Sequence, residues 1–222
     1  MSVNTPTSCM LVTGEYFDYL APDPAVITLD VLGVGLERMV RFNGQTTRAI
    51  TVAEHSLRVR RLARAIAPAD APGEWLLDVV LASLLHDAHE PLVPWGDCLR
   101  PGKTPEMRAA EERVDEAILL ALLPGRAYAD PHAPTPWCRF DDDVREVVKA
   151  ADTIALYFEA LLWQPGAVDW APDLLGRSAC ERRRTAGRFE FDVDRILPLI
   201  APRPGECWRG EVARLIRAAR SR

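Results

Sequence analysis

The chain has 222 residues, 48% of them apolar and 27% charged, with 27 basic against 32 acidic side chains and a formal net charge of −5. At about 150 residues per domain, this is one large domain or one domain with extensions, long enough to bury a core without disulfide or metal staples. The composition excludes a disordered or collagen-like chain, and the acidic balance gives no overall attraction to a nucleic-acid polymer or an anionic membrane.

Residues 1–28 are aromatic and then turn-like, with Tyr16, Phe17 and Tyr19 ahead of Pro22 and Pro24. They read as an ordered extension packed on the main domain, not as a long helix. From Leu29 the pattern turns helical: Leu29, Leu32, Leu36, Met39 and Val40 recur at three- and four-residue spacing, until Asn43-Gly44 makes a turn. Thr51-x-x-Glu54 is a capping box that starts a helix with an apolar stripe through Leu57, Leu62, Ala65 and Ile66, and arginines 58, 60, 61 and 64 fill other positions. A linker turn at 67–73 precedes the most apolar stretch, 74–86, which reads as a central buried helix, although periodicity alone does not exclude a strand. A loop over 91–105 leads to an amphipathic helix over 106–123. A Pro-rich loop spans 126–140, and Asp141, Asp142 and Asp143 favour the N-terminus of a helix running to about Trp163. Shorter helices are expected near 173–186, 192–201 and 206–220. With little strand alternation and no internal repeat, the fold class is all-α, one domain.

Five cysteines, widely spaced and without a C-x-x-C pair, argue against a thiol zinc ribbon or a disulfide framework and fit a reducing compartment. No run approaches 18 uninterrupted apolar residues, and residues 1–10 lack a basic region followed by an apolar core, so no membrane partner is expected and the expected location is cytoplasmic.

Chemistry concentrates in a few residues. Four histidines occur, and two of them lie in His86-Asp87-Ala88-His89-Glu90 at the end of the most apolar stretch, where ionisable groups are costly unless paired or metal-bound. His55 falls in the first turn of the 51–66 helix, and Asp152 lies among apolar neighbours in the 143–163 helix, where it needs a partner. Imidazole and carboxylate together suit Mn, Co, Mg, Zn or Fe as divalent ions. A bound ion of this kind lowers the pKa of its water and polarises a phosphoryl group. His89 reads as a pocket or supporting residue, not a ligand, and His132, between prolines, as exposed.

His55, then His86-Asp87, then Asp152, with the flanks Thr51-Val52-Ala53-Glu54, Ala88-His89-Glu90 and Val148-Lys149-Ala150-Ala151, resembles the ordered signature of the HD-domain phosphohydrolases. The flanks are most similar to the bacterial 5′-deoxynucleotidase branch and to related phage enzymes that hydrolyse deoxynucleoside triphosphates. The resemblance covers roughly 29–165, the HD-domain core, and leaves 166–222 as a C-terminal helical extension. It implies a helical bundle with a central metal site whose ligands are His55, His86, Asp87 and Asp152. Glu90 matches the acidic residue that orients the attacking water or serves as general acid/base, and Asp87 belongs to the same catalytic centre. Arg41-Phe42 resembles an Arg-Trp pair that holds phosphate and crowds the sugar 2′ position, with Phe42 in place of the tryptophan. Gly96-Asp97 resembles a Gly-Asp pair whose carboxylate faces the sugar. Lys103 and Lys149, the chain's two lysines, are candidate phosphate contacts. The implied partner is a nucleotide substrate, and the implied assembly is a homo-oligomer, a dimer or larger. The implied activity is hydrolysis of deoxynucleoside 5′-monophosphates. Alternatives are release of triphosphate from deoxynucleoside triphosphates, hydrolysis of a signalling nucleotide, and a non-catalytic nucleotide or metal sensor.

Overall fold

The computed structural model describes residues 5–98, 102–124, 140–167 and 193–220. The helix expected near 173–186, most of the Pro-rich loop and His132 lie outside them. The described part of the N-terminal segment forms a short hairpin that the sequence pattern does not announce. Ser8–Met10 (β1) pairs antiparallel with Tyr16–Asp18 (β2), with Cys9 opposite Phe17. Three residues per strand are too few to show alternation, yet the period is obeyed: Phe17 is 1% exposed and joins the helical core. Asp18 on the other face accepts from Thr5 Oγ1 at 2.7 Å and Thr7 Oγ1 at 2.8 Å.

Five long helices follow: Leu29–Arg38 (α1), Val52–Ile66 (α2), Gly73–Leu85 (α3), Pro105–Leu122 (α4) and Asp142–Trp163 (α5). Val193–Ile200 (α6) and Trp208–Arg220 (α7) complete the described chain. The stretch that left helix and strand open is helical. α2 lies at the centre, packed on α3, α5 and α1. One apolar core runs from Leu11 to Ile216. Among the described residues, no helix is long and apolar enough to cross a membrane.

Caps fix where the helices begin. Thr28 accepts from Val31 N, and Thr51 from Glu54 N at 3.1 Å. The capping box at Thr51 forms by half: Glu54 turns away to Arg48 at 3.0 Å and Arg58 at 3.5 Å. α1 stops at Arg38 because Met39 is extended, and Val40 then bridges Thr51 in antiparallel fashion while Arg41 N donates to Ile50 O at 2.8 Å. This closes the base of the 40–51 loop and sets the position of Arg41. Within the loop Phe42 (φ 55°), Asn43 (φ 50°) and Gly44 (φ 72°) are all left-handed. For a phenylalanine this is a strained conformation, costing on the order of 1–3 kcal/mol, of the sort retained at functional sites.

Arg58 and Arg61 do not lie on a solvated face. They are buried at 1% and 7% exposure because they cap the end of α6. Arg58 Nε donates to Ile200 O at 2.9 Å, and Arg61 donates to Leu199 O at 2.7 Å and Ala201 O at 3.3 Å.

The end of α3 also takes support from far along the chain. Ser83 O accepts from the His86 ring, and Ala88 N donates to Leu85 O, so the chain turns tightly there. The carbonyl of Leu84 is taken by Trp208 Nε1 of α7 at 2.8 Å. Trp208→Phe keeps the ring but orphans this buried carbonyl. It is expected to lower unfolding free energy by about 1–3 kcal/mol, measurable by urea denaturation.

Candidate metal centre

Four side chains converge where α3 ends against α2 and α5. His55 Nε2 lies 3.0 Å from Asp152 Oδ1 and 3.3 Å from His86 Nε2. Asp87 Oδ2 lies 3.1 Å from His86 Nε2 and 3.7 Å from His55 Nε2. His86 Nε2 is 3.8 Å from Asp152 Oδ1. Donors about 2.0–2.2 Å from one ion sit about 3 Å apart along the edges of its coordination shell. His55, His86 and Asp152 form a group able to hold a divalent ion, and Asp87 borders it. Neighbouring residues on a regular helix point about 100° apart. His86 and Asp87 can both reach the group because α3 ends at Leu85 and the backbone turns there.

The donor chemistry fits a metal. His86 Nδ1 meets Ser83 O at 2.8 Å, and His55 Nδ1 meets the Glu159 carboxylate at 3.0 Å. A carbonyl and a carboxylate accept, so both Nδ1 atoms carry hydrogen and both Nε2 atoms turn their remaining valence toward each other. Two imidazolium N–H groups 3.3 Å apart repel, whereas one cation replaces both protons. The electrostatics point the same way. Burial opposes charge on His86, but Asp87 and Asp152 outweigh it and raise its pKa well above 6.5. Burial likewise opposes the Asp87 carboxylate, yet His86, His55 and Arg41 hold its pKa well below 3.8. The site is built to hold positive charge.

Arg41 belongs to the same cluster. It is buried, with Nη1 3.4 Å from Asp87 and 3.6 Å from Asp97, and Nε 3.4 Å from Glu159. Phe42 follows it, its ring 5.9 Å from the Arg41 guanidinium and packed toward Ala160 and Ala167. Glu90 is 3% exposed, and its Oε2 makes no hydrogen bond. Burial, then Asp87 and Asp97, push its pKa well above 4.5. α1 approaches this segment closely: a Cβ on Gly35 would lie 2.4 Å from Pro91 Cβ, so only glycine lets the helix sit against the residue after Glu90.

The structure does not bring Lys103 into this group. Its Nζ pairs with Glu111 at 2.8 Å, on α4. Lys149 is exposed on α5, three residues before Asp152. His89 is buried against Asp115 at 2.9 Å, where burial opposes its charge but Asp115 raises its pKa to about 9.

Glu159 is a side chain of this cluster that the sequence does not single out. It is wholly buried and holds His55 Nδ1 at 3.0 Å and Arg58 at 3.0 Å. Burial opposes its charge, but His55, Arg41 and Arg58 bring its pKa down from 4.5 to about 2. The available signal was spacing: Glu159 follows Asp152 by seven residues, two turns along the same face of α5.

Against known proteins, no family model matches the chain. An uncharacterized protein of Rhodobacter capsulatus is 35% identical over 153 residues, which is 68% of this chain and 69% of that protein. The chain belongs to the family of that protein. Among solved structures, the HD phosphohydrolase DatZ of cyanophage S-2L, bound to dA and one catalytic Zn²⁺ ion, matches with a TM-score of 0.54 at 21% identity, over 88% of this chain and 99% of the phage protein. The fold is therefore that of an HD phosphohydrolase, in agreement with the all-α expectation and with the resemblance carried by His55, His86-Asp87 and Asp152.

Proposed function

We propose that this family member is a metal-dependent phosphohydrolase of nucleotides, acting on deoxynucleoside 5′-monophosphates. The observation that carries the reading is the pair of imidazole Nε2 atoms 3.3 Å apart, each ring oriented through Nδ1, with Asp87 and Asp152 alongside. His55, His86, Asp87 and Asp152 are the proposed ligands. A divalent ion bound there supplies an acidified water and polarises a phosphoryl oxygen. The buried Arg41 guanidinium beside Asp87 takes up phosphate charge. Glu90, which burial, Asp87 and Asp97 push toward its protonated form, is the proposed general acid and gives a proton to the departing 5′ oxygen of the nucleoside. It recovers one from the water that adds to phosphorus, so phosphate and a nucleoside leave. Asp97, 3.6 Å from Arg41, is the proposed sugar contact. The deoxyadenosine bound to the phage protein supports a deoxynucleoside there.

The triphosphate alternative needs free positive charge for the polyphosphate tail. Of the basic residues that could serve such a tail, Arg48 pairs with Glu54 at 3.0 Å and lies over Trp163 at 4.5 Å, and Lys103 pairs with Glu111. Arg41, also flanked by carboxylates, borders the metal group itself and suits a single phosphate. Incubating metal-loaded protein with each deoxynucleoside mono- and triphosphate is expected to release free phosphate and nucleoside from monophosphates. Inorganic triphosphate as the product would establish the alternative, and no turnover by metal-loaded protein would refute both.

A further inference from the structure

Beside the metal centre lies a second buried ionic cluster from which that centre takes no ligand. Glu111 and Asp115 are one turn apart on α4, both buried. Glu111 Oε1 accepts from Trp95 Nε1 at 2.7 Å and pairs with Lys103 Nζ at 2.8 Å. Asp115 Oδ1 holds His89 Nδ1 at 2.9 Å, while His89 Nε2, enclosed and without a hydrogen bond, faces Glu111 Oε1 at 3.8 Å. Burying this many charges costs several kcal/mol per ion unless they are well paired, and apolar packing would stabilise the same contact more simply. What the cluster gains is position. It grips the 89–95 segment at both ends, and each end neighbours a proposed substrate-side carboxylate: Glu90 directly follows His89, and Asp97 comes two residues after Trp95.

We propose that Glu111 and Asp115 are positioning residues for the substrate side of the site. Asp115, through His89, holds Glu90 for proton transfer, and Glu111, through Trp95, holds Asp97 for the sugar. This rests on the nucleotide reading above. The two halves of the latch then have separable consequences. Asp115→Ala misplaces the proton donor and is expected to lower kcat about tenfold or more with little change in KM. Glu111→Ala loosens the sugar contact and is expected to raise KM about fivefold or more with a smaller change in kcat. Asp115→Asn and Glu111→Gln keep an acceptor oxygen for His89 Nδ1 and Trp95 Nε1, and should recover most of each loss. A role confined to folding would produce neither the split nor the recovery.

Steady-state kinetics of the four variants, with metal content and hydrogen exchange measured alongside, tests this. Metal content should stay at the wild-type level, and amides of 89–97 should exchange faster in the alanine variants while those of α2 and α5 do not. Unchanged kcat and KM in both alanine variants would overturn the proposal. So would parallel losses that the Asn and Gln variants fail to recover. Should an alanine variant not fold, His89→Phe and Trp95→Phe cut the same two hydrogen bonds from the other side, and wild-type kcat, KM and exchange over 89–97 in both would overturn it as well. If the wild type hydrolyses no nucleotide, the functional reading falls by itself. Hydrogen exchange then decides the latch separately, and unchanged protection over 89–97 refutes it.

Discussion

Asp87→Ala is expected to reduce nucleotide hydrolysis by about two to three orders of magnitude, because several kcal/mol of charge stabilisation at the phosphoryl group leave with the ligand set and each 1.4 kcal/mol is tenfold in rate. Asp87 does two things in this geometry. Its Oδ2 lies 3.1 Å from His86 Nε2, at the border of the His55, His86 and Asp152 group, where it is the proposed fourth ligand. The same oxygen lies 3.4 Å from Arg41 Nη1, so it also holds the guanidinium proposed to take up phosphate charge. Removing it leaves Arg41 beside two imidazole rings with one compensating charge fewer. Bound metal, measured by elemental analysis after gel filtration, should fall together with activity. Full metal content at full activity would show that Asp87 is not a ligand. Full metal content with lost activity would assign it to substrate alone.

Glu159→Gln has the second large expected effect, and it acts without touching the substrate. The carboxylate is wholly buried between His55, Arg58 and Arg41. The amide keeps nearly the same shape and can still accept from His55 Nδ1, but two buried guanidinium groups lose their shared counter-charge. Breaking a buried pair on one side typically costs about 3–5 kcal/mol of stability. Loss of the carboxylate behind a ligating histidine typically lowers metal affinity about 10–100-fold. Both are expected here, read by urea denaturation of the metal-free protein and by competition for Zn²⁺ against a chelator of known affinity. A stable variant with wild-type affinity would show that Glu159 only fills space.

The elements and the metal group were legible for local reasons. Thr51 sits three residues before Glu54 and caps α2 as read, and Asp141–Asp143 open α5, Asp141 as its N-cap and the other two in its first turn. The ordered appearance of His55, His86-Asp87 and Asp152 needed only sequence order and flanks, because each lies on or beside a helix whose own pattern is strong. The hairpin was not legible, since three-residue strands carry too little alternation. Nor was the end of α1 at Arg38, where the Val40–Thr51 bridge takes Met39 and Val40 out of the helix and thereby aims Arg41.

Residue types and spacing singled out His55, His86, Asp87 and Asp152 and the helices that carry them, and the resemblance of their ordered motifs implied a shared ion. Tertiary structure alone decided how the charges are shared. It turned Arg58 and Arg61 inward to cap α6, paired Lys103 with Glu111, set Glu159 behind His55, and gave Leu84 O to Trp208. An amphipathic pattern follows from neighbours three or four residues apart, but a buried charge takes its partner from whatever packing places within about 4 Å. His55 and Glu159 meet across 104 residues of chain, and no local pattern carries that distance.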